Sequence, residues 1–171
     1  MTRRGLALIG VVAAALSLGG CGFRPLYGER AAAPEIGEKL ADVGVDIIPD
    51  RSGQILRNEL LDRMTPRGAP GAPAYHLGVA LTESRQEFAI RQDETATRSN
   101  VIFSARFALR RASDNQVIHG GIAVVRNSYD LLQNKFATLS AEEDARTRAL
   151  RQLAEEIRTR LAIYFERSSG A

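Results

Sequence analysis

Few residues in this chain have a type and spacing that could do chemistry. Cys21 is the only cysteine among 171 residues, so no internal disulfide can form and a lone thiol is left to explain. The two histidines, His76 and His119, fall in separate predicted strands with no metal-type spacing around them. Each reads as a surface or strand-edge residue, and no metal is expected. No Gly-x-Ser-x-Gly elbow, phosphate-binding glycine loop or nucleotide fingerprint occurs. The acidic pairs Asp93–Glu94 and Glu142–Glu143 lie in a polar loop and at a helix start, where solvation or the helix dipole accounts for them. Nothing asks for an enzyme, and no catalytic residue or cofactor is expected. What remains is binding chemistry. The connection from Arg85 to Asn100 carries Arg85, Arg91 and Arg98, and the segment from Arg126 to Ser140 carries Lys135 amid Tyr129, Leu131, Leu132 and Phe136. Cations beside apolar side chains suit a ligand with phosphates and acyl chains, because Arg and Lys form charge-assisted bonds to phosphate. Taken alone, each segment also has the composition of a solvated loop, and the sequence does not show whether the two approach each other.

Cys21 is explained by what precedes it. Arg3 and Arg4 give a positive start, and Gly5 to Gly20 holds no charged residue and closes on small residues. That is the order of parts in a secretory signal. Its sixteen residues fall short of the roughly 20 that a membrane-spanning helix needs. Leu18-Gly19-Gly20-Cys21 resembles the bacterial lipobox. The resemblance implies a diacylglycerol thioether on Cys21, cleavage before it, and acylation of the new amine. Two or more acyl chains make a stable anchor where one does not. Gly22 in place of Asp favours the outer membrane. Residues 1–20 are thus expected to be a lipoprotein signal peptide. Without Arg3 and Arg4 the 23 basic residues become 21, against 20 acidic ones. With charge near balance, and no basic tract or RNA-binding motif, no nucleic-acid partner is expected.

The elements that must position the binding segments follow from periodicity. Residues 21–41 read as a lipidated N-terminus and tether, since Pro25, Gly28, Pro34 and Gly37 disfavour a long regular element. Val43, Val45 and Ile47 alternate as a short strand stopped by Pro49. Ser52 is placed to cap a helix whose stripe is Ile55, Leu56, Leu60, Leu61 and Met64. A proline- and glycine-rich loop over 65–74 leads to three strands. Tyr75, Leu77, Val79 and Leu81 alternate, but Phe88 and Ile90 sit on the opposite parity, which predicts a bulge or bend between them. Val101 to Leu109 alternates cleanly, and Val117 to Tyr129 forms a fourth strand with a potential break at Gly120–Gly121. Ser140 with Glu143 reads as a capping box, opening a helix from about Ala141 to about Arg167. Its apolar face is Ala145, Leu150, Leu153, Ile157, Leu161, Tyr164 and Phe165. The expected fold is α+β, a two-layer sandwich of order β-α-β-β-β-α. Its four-stranded mixed sheet is covered on one face by two helices. It forms a single domain over 42–167 with a disordered tail at 168–171.

The whole pattern resembles a known family. Cys21-Gly22-Phe23-Arg24-Pro25-Leu26-Tyr27-Gly28 resembles the mature start of the lipopolysaccharide-assembly lipoproteins (the LptE family) in their alphaproteobacterial form. The likeness continues through Gln54-Ile55-Leu56-Arg57-Asn58-Glu59-Leu60 and Val125-Arg126-Asn127-Ser128-Tyr129-Asp130. It implies a plug inside a large outer-membrane β-barrel, which it helps to assemble, and a module that binds lipopolysaccharide for insertion into the outer leaflet. It implies a lipid anchor at Cys21, on the periplasmic side of the outer membrane and in the barrel lumen. Matching Phe88-Ala89-Ile90-Arg91 to the family's hairpin puts one lipopolysaccharide-binding residue on Arg91. The second falls at Thr138, where this chain has no lysine; Lys135 is the nearest candidate. Two other readings stay open on the residues alone. One is a free-standing periplasmic lipid- or envelope-binding lipoprotein without a barrel partner. The other is an envelope enzyme, which would need a cleft gathering His119 with acidic residues.

Overall fold

The computed structural model describes residues 34–88 and 97–169. The elements run α1 (Pro34–Ala41), β1 (Val43–Val45), α2 (Asp50–Met64), β2 (Tyr75–Phe88), β3 (Thr97–Arg111), β4 (Val117–Leu131) and α3 (Lys135–Ser169). The strands form one mixed sheet in the order β1-β2-β3-β4, with β1 parallel to β2 and the later pairs antiparallel. This is the expected α+β fold with one helix more. α1 forms within the expected tether because Pro34 occupies the first helical position, where a missing N–H is harmless, and Leu40 is buried.

Burial explains the layers. Along β3, Val101, Phe103, Ala105, Phe107 and Leu109 are buried, and the even residues between them turn to the other face, as a period of two requires. On the covered face α3 buries Ala145, Ala149, Leu150, Leu153, Ala154, Ile157, Leu161 and Phe165, a stripe at helical spacing. α2 adds Gly53, Leu56, Leu60 and Met64. At one end of the sheet Phe165 packs against Tyr75 and Tyr164, with ring centroids 5.2 and 5.5 Å apart. Among the described residues no helix is long and apolar enough to cross a membrane.

Four local expectations are corrected. The bulge between Leu81 and Phe88 is absent: β2 pairs with β3 without a shift from Tyr75↔Arg111 to Phe88↔Arg98. The alternation continues, and the helix-facing side simply becomes polar at Glu83 and Arg85, which reach charged groups on α3. β4 is also unbroken at Gly120–Gly121. A Cβ on Gly121 would come within 3.3 Å of the Phe107 ring, so the position stays small to let that ring pack. The one irregularity between β3 and β4 lies at Leu109/Arg110. Ser52 does not cap α2, which starts after Pro49 with no side-chain cap; its hydroxyl donates instead to Glu83 at 3.3 Å. Finally, α3 begins six residues before the expected start and continues two residues into the expected tail, to Ser169. Asn134 is the cap: its Oδ1 accepts the backbone N–H of Phe136 at 2.9 Å and of Ala137 at 3.4 Å.

Candidate functional site

The antiparallel register brings the two cationic segments to one end of the sheet. β2 ends at Phe88 opposite Arg98, and Thr97 pairs with Leu131. The chain therefore leaves and re-enters the sheet one rung from the point where β4 hands over to α3. Arg91 lies outside the described residues, as does Cys21. Lys135 is the first residue of α3 and is exposed.

The turn that presents Lys135 is fixed locally. Thr138 Oγ1 accepts the backbone N–H of Leu132 at 2.9 Å and sits 3.0 Å from its carbonyl oxygen, to which it donates. Thr138 is thus occupied in clamping the chain reversal, which accounts for a hydroxyl where the resemblance placed a cation. Around Lys135 the apolar side chains face outward. Phe136 is 85% exposed, Leu139 58% and Leu132 53%. An aromatic ring and two leucines left in water beside an ammonium form an amphiphilic surface, the kind of exposed apolar patch that marks an interaction site. The apolar character of Leu132 and Phe136 was legible in the sequence. Leu139 was missed because α3 was expected to start after it.

Two other cations of these segments, Arg98 and Arg85, are engaged in ion pairs. Arg98 pairs with Asp130 at 3.2 Å on the rung next to Leu131. Arg85 turns to the helix side and pairs with Glu142, which is 8% exposed. Arg146 completes that network, 2.8 Å from both Glu83 and Glu142 and 3.2 Å from Glu143. Burial disfavours the Arg146 charge, but the three carboxylates outweigh it and hold the guanidinium above its usual range. Glu142–Glu143 therefore lies within α3 as part of an ion network rather than at a helix start. The nearby cleft of about 320 Å³ between β4 and α3 includes Asp130, Asp144 and Arg148 in its lining. Two carboxylates against one cation do not favour phosphate there.

The histidines hold structural places. His76 Nδ1 is 3.4 Å from Asp46. His119 stacks on Tyr164 with centroids 4.7 Å apart, and burial together with Arg160 lowers its pKa. Among the described residues no group of His, Cys, Asp and Glu could hold a metal.

An open mixed sheet backed by helices is also the fold of two lipoproteins of known structure. A protein from Caulobacter crescentus described as a lipoprotein superposes with a TM-score of 0.64 at 20% identity, covering 78% of this chain and 97% of its own. A minor lipoprotein from Acinetobacter baumannii superposes with a TM-score of 0.58 at 17% identity, covering 71% and 90%. No protein of curated function matches the sequence. The LptE lipopolysaccharide-assembly family matches residues 40–161, and the chain belongs to that family. It is a family of assembly proteins and not of enzymes, in agreement with the expectation of no catalytic site.

Proposed function

We propose that this member of the lipopolysaccharide-assembly family is anchored by lipid on Cys21 at the outer membrane, where it plugs and helps assemble a large β-barrel partner. It binds lipopolysaccharide there for insertion into the outer leaflet. The observation that carries the binding part is the surface at the end of the sheet, where Lys135 stands among exposed Phe136, Leu139 and Leu132. A phosphate meets the ammonium and an acyl chain meets the ring and the leucines. Arg91 contributes a second cation from the connection that leaves the sheet at the same end. Family membership supports the lipopolysaccharide ligand, and the signal and lipobox at Cys21 support the anchor.

Two measurements test this. Tagged full-length protein, drawn from its own membranes in mild detergent, should carry a large outer-membrane barrel in stoichiometric amount. Recovery of the lipoprotein alone would favour the free-standing envelope-binding reading. Arg91→Glu with Lys135→Glu should weaken lipopolysaccharide binding about tenfold or more, since losing one charge-assisted contact of ~1.5 kcal/mol already reaches that factor. Unchanged affinity in a folded double variant would remove these two residues from the site.

A further inference from the structure

The sheet has a second face that neither α2 nor α3 covers. Its central rungs are set by register: Ser84–Ile102–Arg126, Thr82–Ser104–Val124 and Ala80–Arg106–Ile122. Ile122 is 50% and Val124 57% exposed, with Ile102 half-buried between them and the small side chains of β2. Arg126 stands opposite Ile102, and Arg106 opposite Ile122. Among the described residues neither Arg106 nor Arg126 makes an ion pair. The carboxylates on this face stand towards its ends, where Asp130 is engaged by Arg98 and Asp46 by His76. Arginines also recur at a regular interval. Arg98, then Arg126 beside Ile102, then Arg106 and Arg110 occupy every second outward rung, about 14 Å apart at ~3.4 Å per residue.

The chemistry of this patch selects its occupant. A solvated sheet face normally alternates polar side chains outward, and three branched aliphatics there need cover. A purely apolar partner would strand two guanidiniums, each costly to bury without an acceptor. A free phosphate would leave the aliphatic groups wet. A ligand carrying both phosphate and acyl chains meets both demands: the guanidinium fork takes phosphate oxygens in pairs, and Ile102, Ile122 and Val124 cover methylenes. Serine and threonine hydroxyls on β2 and β3 add partners for sugar hydroxyls. We infer that the outward face of β2–β3–β4, centred on Arg106, Arg126, Ile122 and Val124, is a second binding surface for a phosphorylated, acylated glycolipid. It is continuous with the sheet end that carries Lys135. The inference rests on the lipopolysaccharide-binding reading above and adds a surface to it.

The test uses the full-length lipoprotein in mild detergent and in its own membranes. A photoreactive side chain is placed singly at Val124 on the open face, at Phe136 on the sheet end, and at Glu166, exposed near the far end of α3, as a control. Purified lipopolysaccharide is the probe. Adducts are expected at positions 124 and 136 and not at 166. Arg106→Glu with Arg126→Glu should cut the adduct at 124 by about tenfold and leave that at 136 in place. An adduct at 136 with none at 124 overturns the open-face surface and leaves the proposed function standing. No adduct at either position takes down the lipopolysaccharide-binding reading itself. Capture of a protein at 124 in membranes, in place of glycolipid, makes the face a protein-docking surface and also overturns the inference. So does loss of the adduct at 124 on adding inorganic phosphate alone, which would mark a simple anion site.

Discussion

Towards β1, the helix-facing rungs of the sheet are Leu77–Leu109, Val79–Phe107 and Leu81–Ala105; further along the same strands they are Glu83–Phe103 and Arg85–Val101. Register and alternation are the same at both ends, and the chemistry is not. The first end closes over Leu153, Ile157, Leu161 and Phe165 of α3, all essentially without solvent contact. At the second, the inner positions of β2 meet Arg146 and Glu142 instead, while Phe103 and Val101 beside them on β3 stay buried. The difference separates two tasks. At one end both strands of the hairpin are held by apolar packing; at the other only β3 keeps its core residues, Val101 and Phe103, while β2 turns charged, and the surface proposed for binding lies just beyond.

The two ends should therefore respond unequally to truncation. Phe107→Ala removes a ring that is 2% exposed, and large-to-small changes of this kind cost about 3–5 kcal/mol. Denaturant unfolding should show a large fall in midpoint with little change in slope. Arg146→Met at the other end should cost less, about 1–3 kcal/mol, because it leaves Glu142 without one of its two partners. Adding Glu142→Leu should recover part of that loss, since the unpaired carboxylate is the penalty. Equal losses from Phe107→Ala and Arg146→Met would erase the distinction between the ends.

The same distinction decides what was legible in the sequence. The packed end is written in period-two and helical stripes, so β3, the second half of α3 and the mixed α+β class of the fold could be read directly. The polar end misled the reading twice. Glu83 and Arg85 break the hydrophobic alternation without breaking the strand, so a continuous β2 looked bulged. Phe136 and Leu139 lie off the buried stripe of α3, so its first turns read as a connection and Ser140 reads as the cap that Asn134 provides. α1 was hidden by Pro34 and Gly37, residues that discourage a helix except where Pro leads it. For the candidate site, Lys135 and its apolar neighbours could be named from composition. Their shared end of the sheet could not, because that depends on which strands pair and in what register.

A third, smaller effect lies between the helices. Glu59 on α2 accepts from Arg151 on α3 at 3.2 Å and also pairs with Arg63. Burial acts to raise its pKa, but the two guanidiniums prevail and hold it below the ordinary 4.5. A carboxylate depressed by folding adds stability that is complete above its unfolded value and is lost as pH falls through its folded one. Wild-type stability should therefore decline with acid below about pH 4.5, and Glu59→Gln should flatten part of that decline while losing stability near neutrality. Urea midpoints at pH 7, 5, 4 and 3 would show it. Parallel pH curves for the two proteins would mean that Glu59 does not carry the acid dependence, leaving the charged end of the sheet as its source.

The smallest change in stability belongs where the binding surface is proposed. Phe136→Ser replaces a ring that is 85% exposed and is not part of the buried core. Surface changes away from packed or capped groups fall within about 0.5 kcal/mol. The cap itself should persist, because Asn134 bonds the backbone N–H of residue 136 and not its side chain. Lipopolysaccharide retention should nonetheless fall severalfold, since the ring is the largest apolar group beside Lys135. Unfolding curves and lipopolysaccharide binding measured on the same preparation separate the two effects. A stability loss comparable to that of Arg146→Met would show that Phe136 supports the fold, and the sheet end would then be a structural extension of the core rather than a surface left open for a ligand.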